Sequence, residues 1–154
     1  MAKFNVSGLD GLQLSLTQMA QIPHNVKVAM LDAEAAVIIP AHKSAAPKDT
    51  GTLQESITGG PVKTGGSGLY KDVYPRGTHH TYTVKRAFKN PRRRRPGEKV
   101  TVRNAEIGFV HNYGAPGRNI PAQKWVDNAN KKASGEAVDA ARKVYDDWLK
   151  SLNL

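Results

Sequence analysis

Along this chain, apolar residues keep a helical spacing at both ends and lose it in the middle. Leu9, Leu12, Leu16 and Met19 fall three or four residues apart, as one helix face requires, and predict a short amphipathic helix over 8–21. Pro23 suits the first turn of a second helix, whose stripe continues through Val26, Ala29, Met30, Ala33, Ala36, Val37 and Ala41 while Asp32 and Glu34 point elsewhere. Pro40 lacks an amide donor and is expected to bend that helix or loosen its last turn. The helix is expected to end near Ser44 to Ala46, before Pro47. A last helix is predicted over 121–152, opened by Pro121. Val126, Ala129, Ala133, Ala137, Ala141, Val144, Trp148 and Leu152 form its apolar stripe. Asp127, Glu136, Asp139, Asp146 and Lys150 occupy its other faces, and Ser134-Gly135 weakens its middle.

Between the helices the pattern shortens. Lys48-Asp49-Thr50-Gly51 reads as a turn, and Thr52-Leu53-Gln54-Glu55 has the spacing of a capping box, so a helical turn is expected before Ile57. Residues 59–68 are rich in Gly, Thr and Pro, and Gly65-Gly66-Ser67-Gly68 reads as a connector. Thr81 to Val84 and Val100 to Val102 are β-branched and aromatic, which predicts strands. Arg92-Arg93-Arg94-Arg95 lies between them, bracketed by Pro91 and Pro96. Like charges repel and prolines cannot join a sheet ladder, so Lys85 to Gly97 is expected to be the loop of a long basic hairpin. Ala105 to Tyr113 is a further apolar piece, closed by Gly114, Pro116 and Gly117. Helices, then strands, then a helix predict one α+β domain over 1–154. Two N-terminal helices and a long C-terminal helix would pack on a mostly antiparallel β-sheet that carries the basic hairpin.

Charge sharpens this picture. The chain carries a net +10, and residues 61–103 hold 12 of its 23 Lys and Arg but only two of its 13 acids, Asp72 and Glu98. That insert accounts for the whole net charge, and the rest of the chain is neutral. A field so segregated attracts polyanions. Lys85, Arg86, Lys89 and Arg92 to Arg95 are the candidate phosphate contacts, with Tyr70, Tyr74, Tyr82 and Phe88 interleaved where bases would stack. A solvated loop, or one pairing with an acidic neighbouring subunit, is the competing reading. No helix-turn-helix, zinc finger or RNA-recognition motif is visible, so contact with DNA would be non-specific.

Catalytic chemistry finds little support. There is no cysteine, which excludes disulfides and thiolate metal sites. His79 and His80 are adjacent, so on a regular strand they would point to opposite faces and chelate poorly. His111 stands alone, Asp146 and Asp147 face different directions on a helix, and Ser56 and Ser67 lack a nucleophile motif. No enzyme, cofactor or metal is expected. Trp148 fits the core-facing stripe, whereas Trp125, beside the Gly-rich entry to the last helix, is available to a partner. No apolar run approaches the roughly 18 residues of a membrane helix. The N-terminus has no signal-peptide pattern, and a soluble chain made in the cytoplasm is expected.

Two stretches resemble a known family. Ala45-Ala46-Pro47-Lys48-Asp49-Thr50-Gly51-Thr52-Leu53-Gln54-Glu55-Ser56-Ile57 is similar to the A-P-x-D-T-G-x-L-x-x-S-I signature that follows the main helix of tailed-phage neck proteins. Gly108-Phe109-Val110-His111-Asn112-Tyr113-Gly114, followed by Ile120-Pro121-Ala122-Gln123-Lys124-Trp125-Val126, is similar to that family's F-V-E-F-G and P-A-R-P-F-L segments. The chain departs from the pattern at His111, Lys124 and Trp125, where the family has Glu, Pro and Phe. The family is the head–tail joining, or tail-completion, proteins of HK-type siphophages. The resemblance implies a virion subunit that forms a ring, often a hexamer, between the portal or head-completion proteins and the tail tube, with genome DNA in the lumen. It also implies structural roles for Pro47, Asp49, Thr50, Gly51, Leu53, Ser56, Gly114, Pro121 and Ala122. The alternative is a free, non-specific nucleic-acid-binding protein that uses the basic hairpin.

Overall fold

A computed structural model describes residues 22–48, 51–66, 68–86 and 94–153. The helix predicted over 8–21 lies outside them. In chain order the elements are α1 (His24–Ala45), α2 (Thr52–Ser56), β1 (Ile57–Gly65), β2 (Gly68–Pro75), β3 (Thr78–Thr83), β4 (Lys99–Arg103), α3 (Asn104–Tyr113), a 3-10 turn (Pro116–Arg118) and α4 (Trp125–Ser151). The fold class is α+β, as the alternation of patterns predicts.

α1 starts directly after Pro23, whose carbonyl accepts from the amides of Val26 and Lys27, both at 3.1 Å. It ends at Ala45 because Ala46 precedes Pro47 and is held extended (φ −62, ψ 143). Pro40 sits inside, and the helix runs one more turn past it. α1 and α4 form the most extensive packing in the fold. Of its predicted stripe, α4 buries Ala129, Ala133, Ala137 and Ala141, four residues apart, while Val126, Val144 and Trp148 are half-buried and Leu152 is exposed past the helix end. The small alanine side chains let two helix backbones approach closely. On α1 the predicted stripe is partly wrong: Ala29 and Ala36 are exposed, and Ala35 is buried with Val26 and His42. Nearly every residue from Ala33 to Ala41 is apolar, so periodicity alone could not choose the inner face.

The β residues form two separate two-stranded sheets rather than one. β1 and β2 pair antiparallel, with an irregularity between Gly59 and Val62. Gly65 to Gly68 therefore connects two strands, as expected, and the Gly-rich stretch before it, 59–65, is itself strand. Its glycines serve close approach: a Cβ on buried Gly60 would lie 2.2 Å from the Arg76 Nη2. Lys71 of β2 pairs with Asp32 of α1, which ties this hairpin to the helices. The chain then breaks direction at Gly77 (φ +79). The Arg76 amide donates to the Ser56 carbonyl at 2.9 Å, and Asn104 Nδ2 donates to the Arg76 carbonyl at 2.7 Å. That redirection separates the second sheet, β3 with β4, whose packing against the rest of the fold runs mainly through α3.

The apolar piece at 105–113 is helical, as α3. It stops at Gly114 (φ +78), where a Cβ would stand 2.8 Å from the Ala122 amide nitrogen and 2.9 Å from the Ile120 oxygen. Residues 121–124 are not yet helix. They run beside the end of α3, with the Gln123 and Lys124 amides donating to the His111 and Asn112 carbonyls at 3.0 Å. Asn112 Oδ1 then accepts from the Val126 amide at 3.0 Å, so a residue of α3 satisfies a free amide in the first turn of α4. Ser134-Gly135 does not interrupt α4. Below this joint, Ala46, Leu53, Ile57 and Trp125 form the core, flanked by Val73, Ile107 and Val126. Trp125 is 4% exposed, so it is a core residue rather than a partner contact. Its indole N–H donates to the Gly108 carbonyl at 3.2 Å, and the His42 ring meets it edge-on.

Candidate nucleic-acid interface

The charged insert splits between the two hairpins. On the first, Lys63 pairs with Asp72 at 2.9 Å, and that bond with its charge holds the Lys63 ammonium above its ordinary pKa. Tyr70 lies under Lys63 and Tyr74 under the Arg76 guanidinium, 6.0 and 4.4 Å from the respective ring centres. These tyrosines are therefore engaged with cations of their own hairpin.

The second hairpin is different. β3 and β4 pair from Thr83 with Lys99 down to Thr78 with Arg103, and the ladder continues through mutual backbone bonds of Val84 with Gly97 and Glu98. Lys85, Arg86, Arg94, Arg95, Lys99 and Arg103 are all exposed. Among the described residues none of these six cations makes an ion pair. Arg94 Nη1 donates to the Tyr82 hydroxyl at 2.7 Å. Glu98, the one acid of this loop, accepts from the backbone amide of Arg95 rather than from its guanidinium. Lys89, Arg92, Arg93 and Phe88 lie outside the described residues. Tyr82 is 42% exposed and shares its face with His80, 5.9 Å away between ring centres. The arm thus offers exposed, unneutralised guanidinium and ammonium groups beside an accessible aromatic ring.

The register of this arm slips between Thr78 and His80, leaving His79 as an extra residue opposite Arg103 and Val102. The slip brings the two histidines together instead of onto opposite faces, with Nδ1 to Nδ1 at 2.8 Å. A pair alone is still short of a metal site, and no cluster of three or more His, Asp or Glu suited to a metal ion occurs among the described residues.

The two motif segments, some fifty residues apart in the chain, meet in space. Pro47, Gly51 and Leu53 from the first and His111 and Gln123 from the second line one cavity of about 320 Å³, with His79 at its edge. His111 Nδ1 is buried there without a hydrogen-bond partner. Several motif residues have a visible place in the fold. Gly51 supplies φ +82 ahead of α2, Leu53 enters the core, and the Ser56 hydroxyl donates to the Leu53 carbonyl at 2.7 Å. Gly114, Pro121 and Ala122 make the close crossing described above. Asp49 and Thr50 lie outside the described residues. Sequence reasoning missed Asn104, Asn112 and His42, all buried polar groups that join elements. The His42 ring nitrogen bonded to Asn130 Oδ1 at 2.7 Å links α1 to α4. A buried Asn or His has no periodic signature, and only the partner it meets reveals it. Comparison with protein-family models, curated proteins and solved structures returns no match.

Proposed function

We propose that this chain is a non-enzymatic structural subunit of a tailed-phage neck, assembling as a ring between the portal or head-completion proteins and the tail tube. In this reading the β3–β4 arm faces the genome DNA in the lumen. The observation that carries the DNA-facing part is the set of exposed arm cations without ion pairs among the described residues, on an arm that holds most of the chain's net charge. Such groups gain by releasing counterions from phosphate, without reading bases. The motif resemblance carries the neck assignment, and the spatial meeting of the two motifs supports treating them as one unit.

Two measurements test it. Mass by light scattering and negative-stain microscopy should find a closed ring, or a monomer that joins only a connector or a tail tube. Tight DNA binding by a monomer that joins neither would replace the neck reading with the free nucleic-acid-binding one. Changing Arg92 through Arg95 together to alanine should leave the circular dichroism spectrum intact. It should also weaken duplex binding and flatten the log-affinity against log-salt slope by roughly 0.9 for each phosphate that is no longer neutralised. An unchanged slope would remove the arm from DNA.

A further inference from the structure

A second surface, away from the arm's tip, is built for a different kind of contact. Phe109 and Tyr113 stand one turn apart on α3, 63% and 62% exposed, with their rings 4.7 Å apart. They edge an apolar groove of about 200 Å³ whose floor includes Val73, Gly108 and Trp125. Among the described residues, no Lys or Arg lines that groove. It shares Tyr74, Pro75 and Ala105 with an adjoining cleft of about 360 Å³, which Arg76 and Arg103 line and no described acid does. Glu106 is near, but its carboxylate turns back to accept from the Arg103 amide, and neither arginine has an ion pair among the described residues. Arg76 Nε and Nη2 are buried without a hydrogen-bond partner. Nη2 lies against Gly60 and the guanidinium stacks over Tyr74, so Arg76 is held in place and lends its unneutralised charge to the cleft wall.

We propose that groove and cleft together dock a segment of a partner protein that carries an apolar side chain next to a carboxylate. The apolar side chain covers Phe109 and Tyr113, and the carboxylate lies between Arg76 and Arg103. Charge placement favours a peptide over a nucleic-acid strand. A strand brings a phosphate with every nucleotide, whereas here the cations stand at one end of an uncharged groove. This inference does not rest on the neck reading and would hold for any assembly the chain enters.

The test is selection of random dodecapeptides, displayed on a surface, against the full chain. Enriched peptides should share an Asp or Glu, or a free C-terminal carboxylate, within a few residues of Leu, Phe, Met or Trp. Replacing that acid by its amide should weaken binding about tenfold or more, and on the Arg103→Gln variant the same replacement should have little further effect. Phe109→Ser with Tyr113→Ser should abolish binding; all three altered residues are exposed, so the fold is retained. No enrichment, enrichment without an acid, or equal binding to the serine variant would overturn the proposal. Self-association of the wild type that the serine variant loses would instead assign the groove to a second copy. Competition by oligothymidylate that the serine variant loses would assign it to nucleic acid.

Discussion

Replacing Gly114 with alanine tests the joint on which the fold turns. Gly114 has φ +78 and ψ 172, a region open almost only to glycine, and forcing another residue into it costs roughly 1–3 kcal/mol. The new Cβ would also meet three backbone atoms, at 2.8, 2.9 and 3.2 Å from Ala122, Ile120 and Pro121. Those atoms cannot yield freely. The Ala115 amide holds the Ile120 carbonyl at 2.8 Å, and the Gln123 amide is held by His111. Overpacking of that kind costs about 1–3 kcal/mol. The combined loss is roughly 2–6 kcal/mol, a fall in Tm of about 5–20 °C for a domain of this size. Urea denaturation followed through tryptophan fluorescence and circular dichroism measures it. Gly135→Ala is the matched control. Nothing lies within 4 Å of its added Cβ, and it sits in the interior of α4. Alanine there should stabilise by about 0.5–1 kcal/mol, because it loses less backbone entropy on folding. A Gly114→Ala loss below about 0.5 kcal/mol would refute both the backbone conformation and the crossing built on it.

Other substitutions probe separate links. Trp125→Phe should cost about 1–3 kcal/mol in urea unfolding, since it removes the indole bond to the Gly108 carbonyl and leaves the core short of part of a buried ring. Ala137→Leu on the α4 stripe should destabilise by about 1–3 kcal/mol by wedging α1 from α4, whereas Leu at exposed Lys131 should change the urea midpoint little. Lys63→Gln should leave neutral-pH stability nearly unchanged, because its pair with Asp72 is exposed. With the folded pKa raised, what that pair contributes is present at neutral pH and lost only as pH climbs through the alkaline titration of the lysine. A wild-type and Lys63→Gln comparison across pH should therefore differ, if at all, below that range and converge above it.

Much of the helical frame was legible because it rests on local rules. Pro23 and Pro47 bracket α1, and the four-residue alanine steps mark the buried face of α4. The two strands of the basic arm were legible for a similar reason: the β-branched and aromatic runs at 81–84 and 100–102 pair with each other. The inner face of α1 was not, since its middle is apolar on every side. The strand character of residues 57–65 was hidden by glycines that local propensity reads as breakers. Their role appears only once Arg76 and Lys71 lie across them.

By itself, then, the sequence determined an α+β chain with a neutral helical body, a segregated basic arm and two motif segments. Backbone preference, hydrophobic period and charge order are properties of neighbouring residues, so they can be read along the chain. The tertiary structure alone decided that the sheet is two hairpins, that Trp125 is core, and that His79 meets His80 across a bulge. It also decided that the two motifs share one cavity, and that Phe109 and Tyr113 border a two-arginine cleft. Each of these depends on which distant backbone arrives beside a residue, and no local spacing carries that information.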